Sequence, residues 1–223
     1  MQHTLNVENL YKRIDKKEVL HNISLNLKGG KIYGFVGENG SGKTMLFRTL
    51  SGLVKPTEGT VLLDGVDIHK KHGAVKIGVI IENSGMWPDL TGWENLSYLA
   101  SLNNYISEKE IKLAMKRVGL NPQNDLPVRK YSLGMKQRLM IAQAVMEQPD
   151  FLFLDEPTNS IDQEGTAVIR QIISEEAQRG AVILMASHIG EDISKLCEAV
   201  YFVEAGKCKR IESAERREGK ENA

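Results

Sequence analysis

The sequence predicts an α/β fold with an antiparallel β portion near the N-terminus and an all-helical stretch inserted in the middle. Three observations carry that expectation. An apolar strand-like run, 31–36, leads directly into a glycine-rich segment, 37–44, that opens a helix. Strand-like runs return late, at 151–154, 182–186 and 200–203, separated by helical spacing. Between the two groups, residues from about 92 to 146 read mainly as helices.

Each element follows in order. Residues 4–10 and 19–27 alternate apolar and polar positions as half-buried strands do. Lys28-Gly29-Gly30 is a turn before the buried strand 31–36. From Thr44 to Leu53 the residues Leu46, Phe47, Leu50 and Leu53 fall on one helical face. Pro56-Thr57-Glu58-Gly59 is a turn, 60–63 a short strand, and Asp64-Gly65 a hairpin turn. Residues 77–81 form the next strand. Helices are expected over 93–102, 108–118 and 134–146, with Ser107 and Glu110 as a capping box for the second. Late helices are expected at 166–177 and 191–196. The charged end from Glu212 onward lacks apolar residues other than alanine, and a disordered tail is expected over 212–223.

Bulk properties narrow the function classes. The 223 residues can bury a sizeable core. Lys+Arg and Asp+Glu balance at 29 each, so no global field draws the chain to nucleic acid or anionic lipid. Two late cysteines, Cys197 and Cys208, are no disulfide framework, and reduced thiols are expected. No apolar run approaches the roughly 20 residues of a spanning helix. The first residues lack the pattern of a signal peptide.

Gly37-Glu38-Asn39-Gly40-Ser41-Gly42-Lys43-Thr44 fits the phosphate-binding pattern G-x-x-x-x-G-K-[ST]. Its glycines let backbone N–H groups curl around phosphate oxygens, and the following helix presents its positive end to the anion. Lys43 is placed to reach the β and γ phosphates, and the Thr44 hydroxyl to ligate Mg²⁺. Gly37, Asn39, Gly40, Ser41, Gly42, Lys43 and Thr44 are therefore the expected nucleotide ligands. Phe151-Leu152-Phe153-Leu154-Asp155-Glu156 is a buried strand ending in two acids. A carboxylate there sits at the crevice where α/β sheets bind ligands. Asp155 suits the metal shell, and Glu156 suits a general base that polarises water. Strand-then-acids alone would read as a solvated turn; the glycine-rich loop reverses that order.

These features, with Tyr131-Ser132-Leu133-Gly134-Met135-Lys136-Gln137-Arg138 upstream, resemble the nucleotide-binding domain of ATP-binding cassette (ABC) proteins from about Leu5 to Lys209. Unaided, Ser132 and Gly134 read as an N-cap and first turn of a helix. The resemblance implies more: that helix start meets the γ-phosphate held by a second subunit. The family signature is typically LSGGQ, of which Ser132 and Gly134 remain. Asp162 in Asn159-Ser160-Ile161-Asp162 matches the family's D-loop aspartate. His188, which alone would pass as a surface residue, matches the switch histidine that contacts the γ-phosphate. Glu82 stands where the family carries its Q-loop glutamine and is a candidate near Mg²⁺ or a water; on its own it reads as a surface acid. Ile14 aligns with the aromatic that stacks on adenine, and Tyr11 lies three residues early. Glu82, Trp87–Thr91 and Glu94-Asn95-Leu96 together are similar to bacitracin- and lantibiotic-type export ATPases.

The resemblance implies one nucleotide-binding domain over 1–211, with a helical lobe inserted at about 83–146. Its fold would be a P-loop NTPase core of ABC type with an antiparallel β subdomain. It also implies ATP and Mg²⁺ as cofactors, and ATP hydrolysis with Glu156 and His188 as catalytic residues. Two such domains would pair, as a homodimer or heterodimer, and drive a separate transmembrane permease from the cytoplasmic face of the membrane. An exporter is the leading expectation and no nucleic-acid partner is expected. The rival is a soluble, non-transport ABC ATPase, for example one acting in iron–sulfur assembly or on ribosomes.

Overall fold

A computed structural model describes residues 2–71, 73–81, 85–103 and 105–211. Glu82 and the 212–223 tail lie outside the described residues. The chain runs β1 (Thr4–Ile14), β2 (Lys17–Lys28), β3 (Lys31–Val36), α1 (Lys43–Leu50), β4 (Glu58–Leu63), β5 (Val66–Asp67) and β6 (Ile77–Ile80). Then come α2 (Gly92–Asn103), α3 (Glu108–Arg117), α4 (Leu133–Val145), β7 (Phe151–Asp155), α5 (Gln163–Arg179), β8 (Val182–Ala186), α6 (Gly190–Leu196), β9 (Ala199–Glu204) and β10 (Lys207–Ile211).

The strands form two sheets. Four antiparallel strands run in the order β2-β1-β4-β5. The second sheet has the order β10-β9-β3-β8-β7-β6 and is parallel except for β10. The apolar run at β7 serves both faces of that second sheet. Phe151 and Phe153 join Phe35, Phe47 and the antiparallel layer in one core; Leu152 and Leu154 join α4 and α5 in the other. Alternation along a doubly covered strand makes the whole run apolar. The first core is aromatic at its centre, with Phe47 edge-on to Phe35 at 5.4 Å and to Phe153 at 6.3 Å.

Several expected bounds shift. Leu53 does not share the buried face of α1: the helix ends at Leu50, and Leu53 is 63% exposed. Strand β1 runs on to Ile14, because register shifts after Val7 and Leu10 break the period-2 pattern that the sequence offers. Strand β10 has no apolar alternation to announce it. Among the described residues it is an edge strand paired with β9, and it turns at Ala205-Gly206, both at positive φ (46° and 75°). The Ser107–Glu110 capping box is present: the Ser107 amide donates to Glu110 Oε2 at 2.7 Å. Cys197 and Cys208 are both thiols, and burial pushes Cys208 up to about 12.

Candidate nucleotide site

The C-terminal ends of β3, β7 and β8 are adjacent in the sheet, and the candidate residues follow them directly. Behind β3 the chain must turn sharply. Gly37 has φ 152°, and a Cβ there would stand 2.1 Å from the Val203 carbonyl oxygen. Only glycine fits that approach. The Ser41 carbonyl accepts from the Gly206 amide at 2.9 Å, so the β9–β10 turn braces the loop from behind. Helix α1 begins at left-handed Gly42 (φ 112°) with no side-chain cap. The positive end of α1 therefore faces the loop without a side-chain oxygen accepting at its cap.

Lys43 folds back over the loop, its Nζ donating to the carbonyls of Gly37 (2.7 Å) and Glu38 (2.9 Å). Thr44 Oγ1 donates to Asp155 Oδ2 at 2.7 Å, across 111 residues of sequence. A cavity of about 440 Å³ lies over these groups, lined by Asn39, Gly40, Lys43, Thr44, Asp155 and Glu156 among others. The hydroxyl–carboxylate pair is a hard oxygen donor set of the kind Mg²⁺ takes together with phosphate oxygens and water.

Glu156 sits in the left-handed region (φ 51°), an uncommon state for a residue with a Cβ that costs about 1–2 kcal/mol. Its surroundings fix it. The Glu156 amide donates to the Ala186 carbonyl at 2.9 Å. Gln137 Nε2, from α4, donates to the carbonyls of Glu156 (3.2 Å) and Pro157 (3.0 Å). The carboxylate accepts from the His188 amide at 3.2 Å and lies 2.8 Å from His188 Nδ1. The two proposed catalytic side chains thus meet directly, with the imidazole two-thirds exposed.

Ser132, Gly134 and Asp162 do not line this cavity. Ser132 caps α4, its side chain accepting from the Met135 amide at 3.2 Å. Gly134 packs so that a Cβ would lie 3.0 Å from the Ser160 carbonyl oxygen. Asp162 caps α5 and accepts from Arg138 Nη2 at 2.6 Å. The Arg138 guanidinium holds the Asp162 carboxyl below the usual range. The start of α4 is open: Leu133 is 70% exposed. A second cleft of about 650 Å³ joins α4 to the end of β7, lined by Gln137, Met140, Asp155, Glu156 and Ser160 among others.

Val19 and Gln137 are among the residues of the site not singled out in the sequence. Val19 lines the nucleotide cavity from β2, whereas Ile14 is 43% exposed and Tyr11 packs edge-on against His21 at 5.3 Å. Gln137 braces Glu156. A valine in an alternating strand and a glutamine in a helix carry no local signal for either role.

The ABC transporter family profile matches residues 20–159. The uncharacterized ABC transporter ATP-binding protein YybJ of Bacillus subtilis is 46% identical over 95% of this chain and 96% of its own length. The chain belongs to the ABC transporter family. The bacitracin transport ATP-binding protein BcrA of Enterococcus faecalis is 38% identical over 92% of this chain, which spans 68% of that relative. The lantibiotic transport ATP-binding protein SrtF of Streptococcus pyogenes is 35% identical over 91% of this chain and 88% of its own length. The fold is that of the dimeric structure of MJ0796, a bacterial ABC transporter cassette, with TM-score 0.83 at 22% identity over 94% of this chain and 99% of that one. ABC membership of this kind favours the transporter reading over the non-transport rival, and it includes the bacitracin and lantibiotic branch.

Proposed function

We propose that this chain is the ATP-binding and ATP-hydrolysing subunit of an ABC exporter, acting in a pair with a second such chain on a separate transmembrane permease. The observation that carries the reading is the convergence on one cavity of a lysine-bearing glycine loop, the Thr44–Asp155 pair and the Glu156 carboxylate. The loop amides and Lys43 bind the phosphates. Thr44 and Asp155 would hold Mg²⁺, with Glu82 as a further candidate. Bound there, the ion would neutralise charge on the phosphate oxygens. Glu156 accepts a proton from the attacking water, and His188 orients the Glu156 carboxylate and contacts the γ-phosphate.

Ser132 and Gly134 serve the other chain's nucleotide. Their exposed helix start complements an anion presented from outside, and Asp162 sets the loop beside it. None of the helices among the described residues is long and apolar enough to cross a membrane. We therefore assign the crossing to the permease, and this chain to the inner membrane face. The dimeric cassette of the same fold and the transport relatives support that arrangement.

The decisive experiment is Glu156→Gln. The variant keeps ATP affinity, loses turnover by about a hundred-fold or more, and accumulates as an ATP-bound dimer. Normal turnover in it would remove the general-base role. Co-purification of the tagged chain with a multi-span membrane protein tests the permease.

A further inference from the structure

The buried carboxylate of Asp192 lies outside the nucleotide cavity and has no part in the mechanism above. It sits in the first turn of α6 with no solvent exposure. Its Oδ2 accepts from Thr158 Oγ1 at 2.5 Å and lies 3.5 Å from Ser187 Oγ. Its Oδ1 accepts from Arg170 Nε at 2.7 Å, and Arg170 Nη2 is 2.5 Å away. Thr158 and Ser187 are themselves 3% and 2% exposed.

The two hydroxyls come from the two loops that matter most. Thr158 is two residues past Glu156, and Ser187 immediately precedes His188. We propose that Asp192 is a positioning residue of the ATPase site: one carboxylate ties the loop after β7 to the loop after β8 and so fixes Glu156 against His188. The inference rests on the roles proposed above for those two residues.

The physical case is one of constraint. Glu156 occupies a left-handed backbone state, which persists only where its surroundings over-determine it. Gln137 holds its carbonyl side, the Ala186 carbonyl holds its amide, and Asp192 holds the chain two residues on. On the other loop, Ser187 Oγ also accepts from the Ile189 amide at 3.0 Å, closing the turn around His188. A buried carboxylate is costly, and an apolar residue would fill the space more cheaply. Arg170 offsets that cost; it is itself anchored on α5 and reaches Glu191 Oε2 at 3.1 Å. The cluster thus converts the rigidity of α5 and α6 into a fixed separation between the two loops.

The test is steady-state ATPase of the full chain carrying Asp192→Asn, Thr158→Val or Thr158→Ser, with melting temperature measured on each. Asp192→Asn and Thr158→Val are expected to lower kcat about ten-fold or more, as displacement of a base from its water does. KM for ATP should stay within about two-fold, because the phosphate loop is untouched. Thr158→Ser restores the hydroxyl and should recover most of kcat. Unchanged kcat in Asp192→Asn, an equal loss in Thr158→Ser and Thr158→Val, or a KM that rises with the fall in kcat would each overturn the inference. If Asp192→Asn does not fold, the two Thr158 variants decide alone. Glu156→Gln in the same assay separates the two readings: its normal turnover sinks the base assignment, whereas the Asp192 inference is read from its own kcat.

Discussion

The helices α1 and α4 both start at a glycine- and serine-bearing turn, yet the two starts are built in opposite ways. At α1 the cap is left-handed Gly42 with no side-chain oxygen, and the loop is enclosed by Val203, Gly206 and Asp155 from distant parts of the chain. At α4 the serine caps its own helix, and the neighbouring Leu133 stands in solvent. The first is a loop braced entirely by residues of its own chain. The second is a self-capped, exposed helix start, which the proposed function assigns to the other chain's nucleotide. If the centre is divided as proposed, it closes only on association, and nucleotide binding and chain pairing are linked equilibria.

The largest expected effect breaks the enclosed half. Gly37→Ala forces a Cβ onto a backbone oxygen in a left-handed state and should lower stability by about 3 kcal/mol, read in thermal or urea unfolding. Gly40, at φ 79° with open space around it, is the control: its alanine variant should lose only about 1 kcal/mol. Equal losses would mean that the Val203 contact does not define the loop. Next, Lys43→Ala should weaken ATP binding roughly thirty-fold, about 2 kcal/mol of charge-assisted hydrogen bonding. Titration with a fluorescent nucleotide checks it.

Ser132→Ala tests the open half. It removes a cap worth about 1 kcal/mol in unfolding. ATP affinity of the single chain should stay at the wild-type value, while turnover of the pair falls. A loss of single-chain affinity would contradict the division of the site.

The smallest effect concerns acid. Glu94 and Glu110 are held below the usual carboxylate value by hydrogen bonds from Thr91 and Ser107 at the starts of α2 and α3. A depressed folded value means stability that is complete above about pH 4.5 and lost as pH falls through the folded value. Circular dichroism should show part of the helical signal declining in that window, and Glu110→Gln should flatten the decline. No such carboxylate caps α1, whose first turn has no acid.

Much of the enclosed half was legible because its chemistry is contiguous. Eight residues, 37–44, hold the turn, the lysine and the hydroxyl, and the strand before them is buried from Ile32 to Phe35. The ends of β7 and β8 were legible for the same reason: doubly buried parallel strands leave continuous apolar runs that stop at the functional loop. Ser132 reads as a helix cap from local pattern, and it is one; Asp162, singled out only by the family resemblance, also caps its helix. Val19, Gln137 and Asp192 could not. Val19 reaches the nucleotide cavity only because β2 folds beside the loop, where its carbonyl lies against Gly42. Gln137 braces a carbonyl 19 residues away, and Asp192 joins hydroxyls from two loops that only the sheet order makes neighbours.

The sequence by itself determined the family, the phosphate loop, the acidic pair after β7 and the alternation of layers, since each is written in neighbouring residues. The tertiary structure decided that Thr44 meets Asp155, that His188 meets Glu156, and that α4 lies open while α1 lies enclosed. Those pairings join residues far apart in the chain, and only the order β3-β8-β7 brings their loops to the same edge of one sheet.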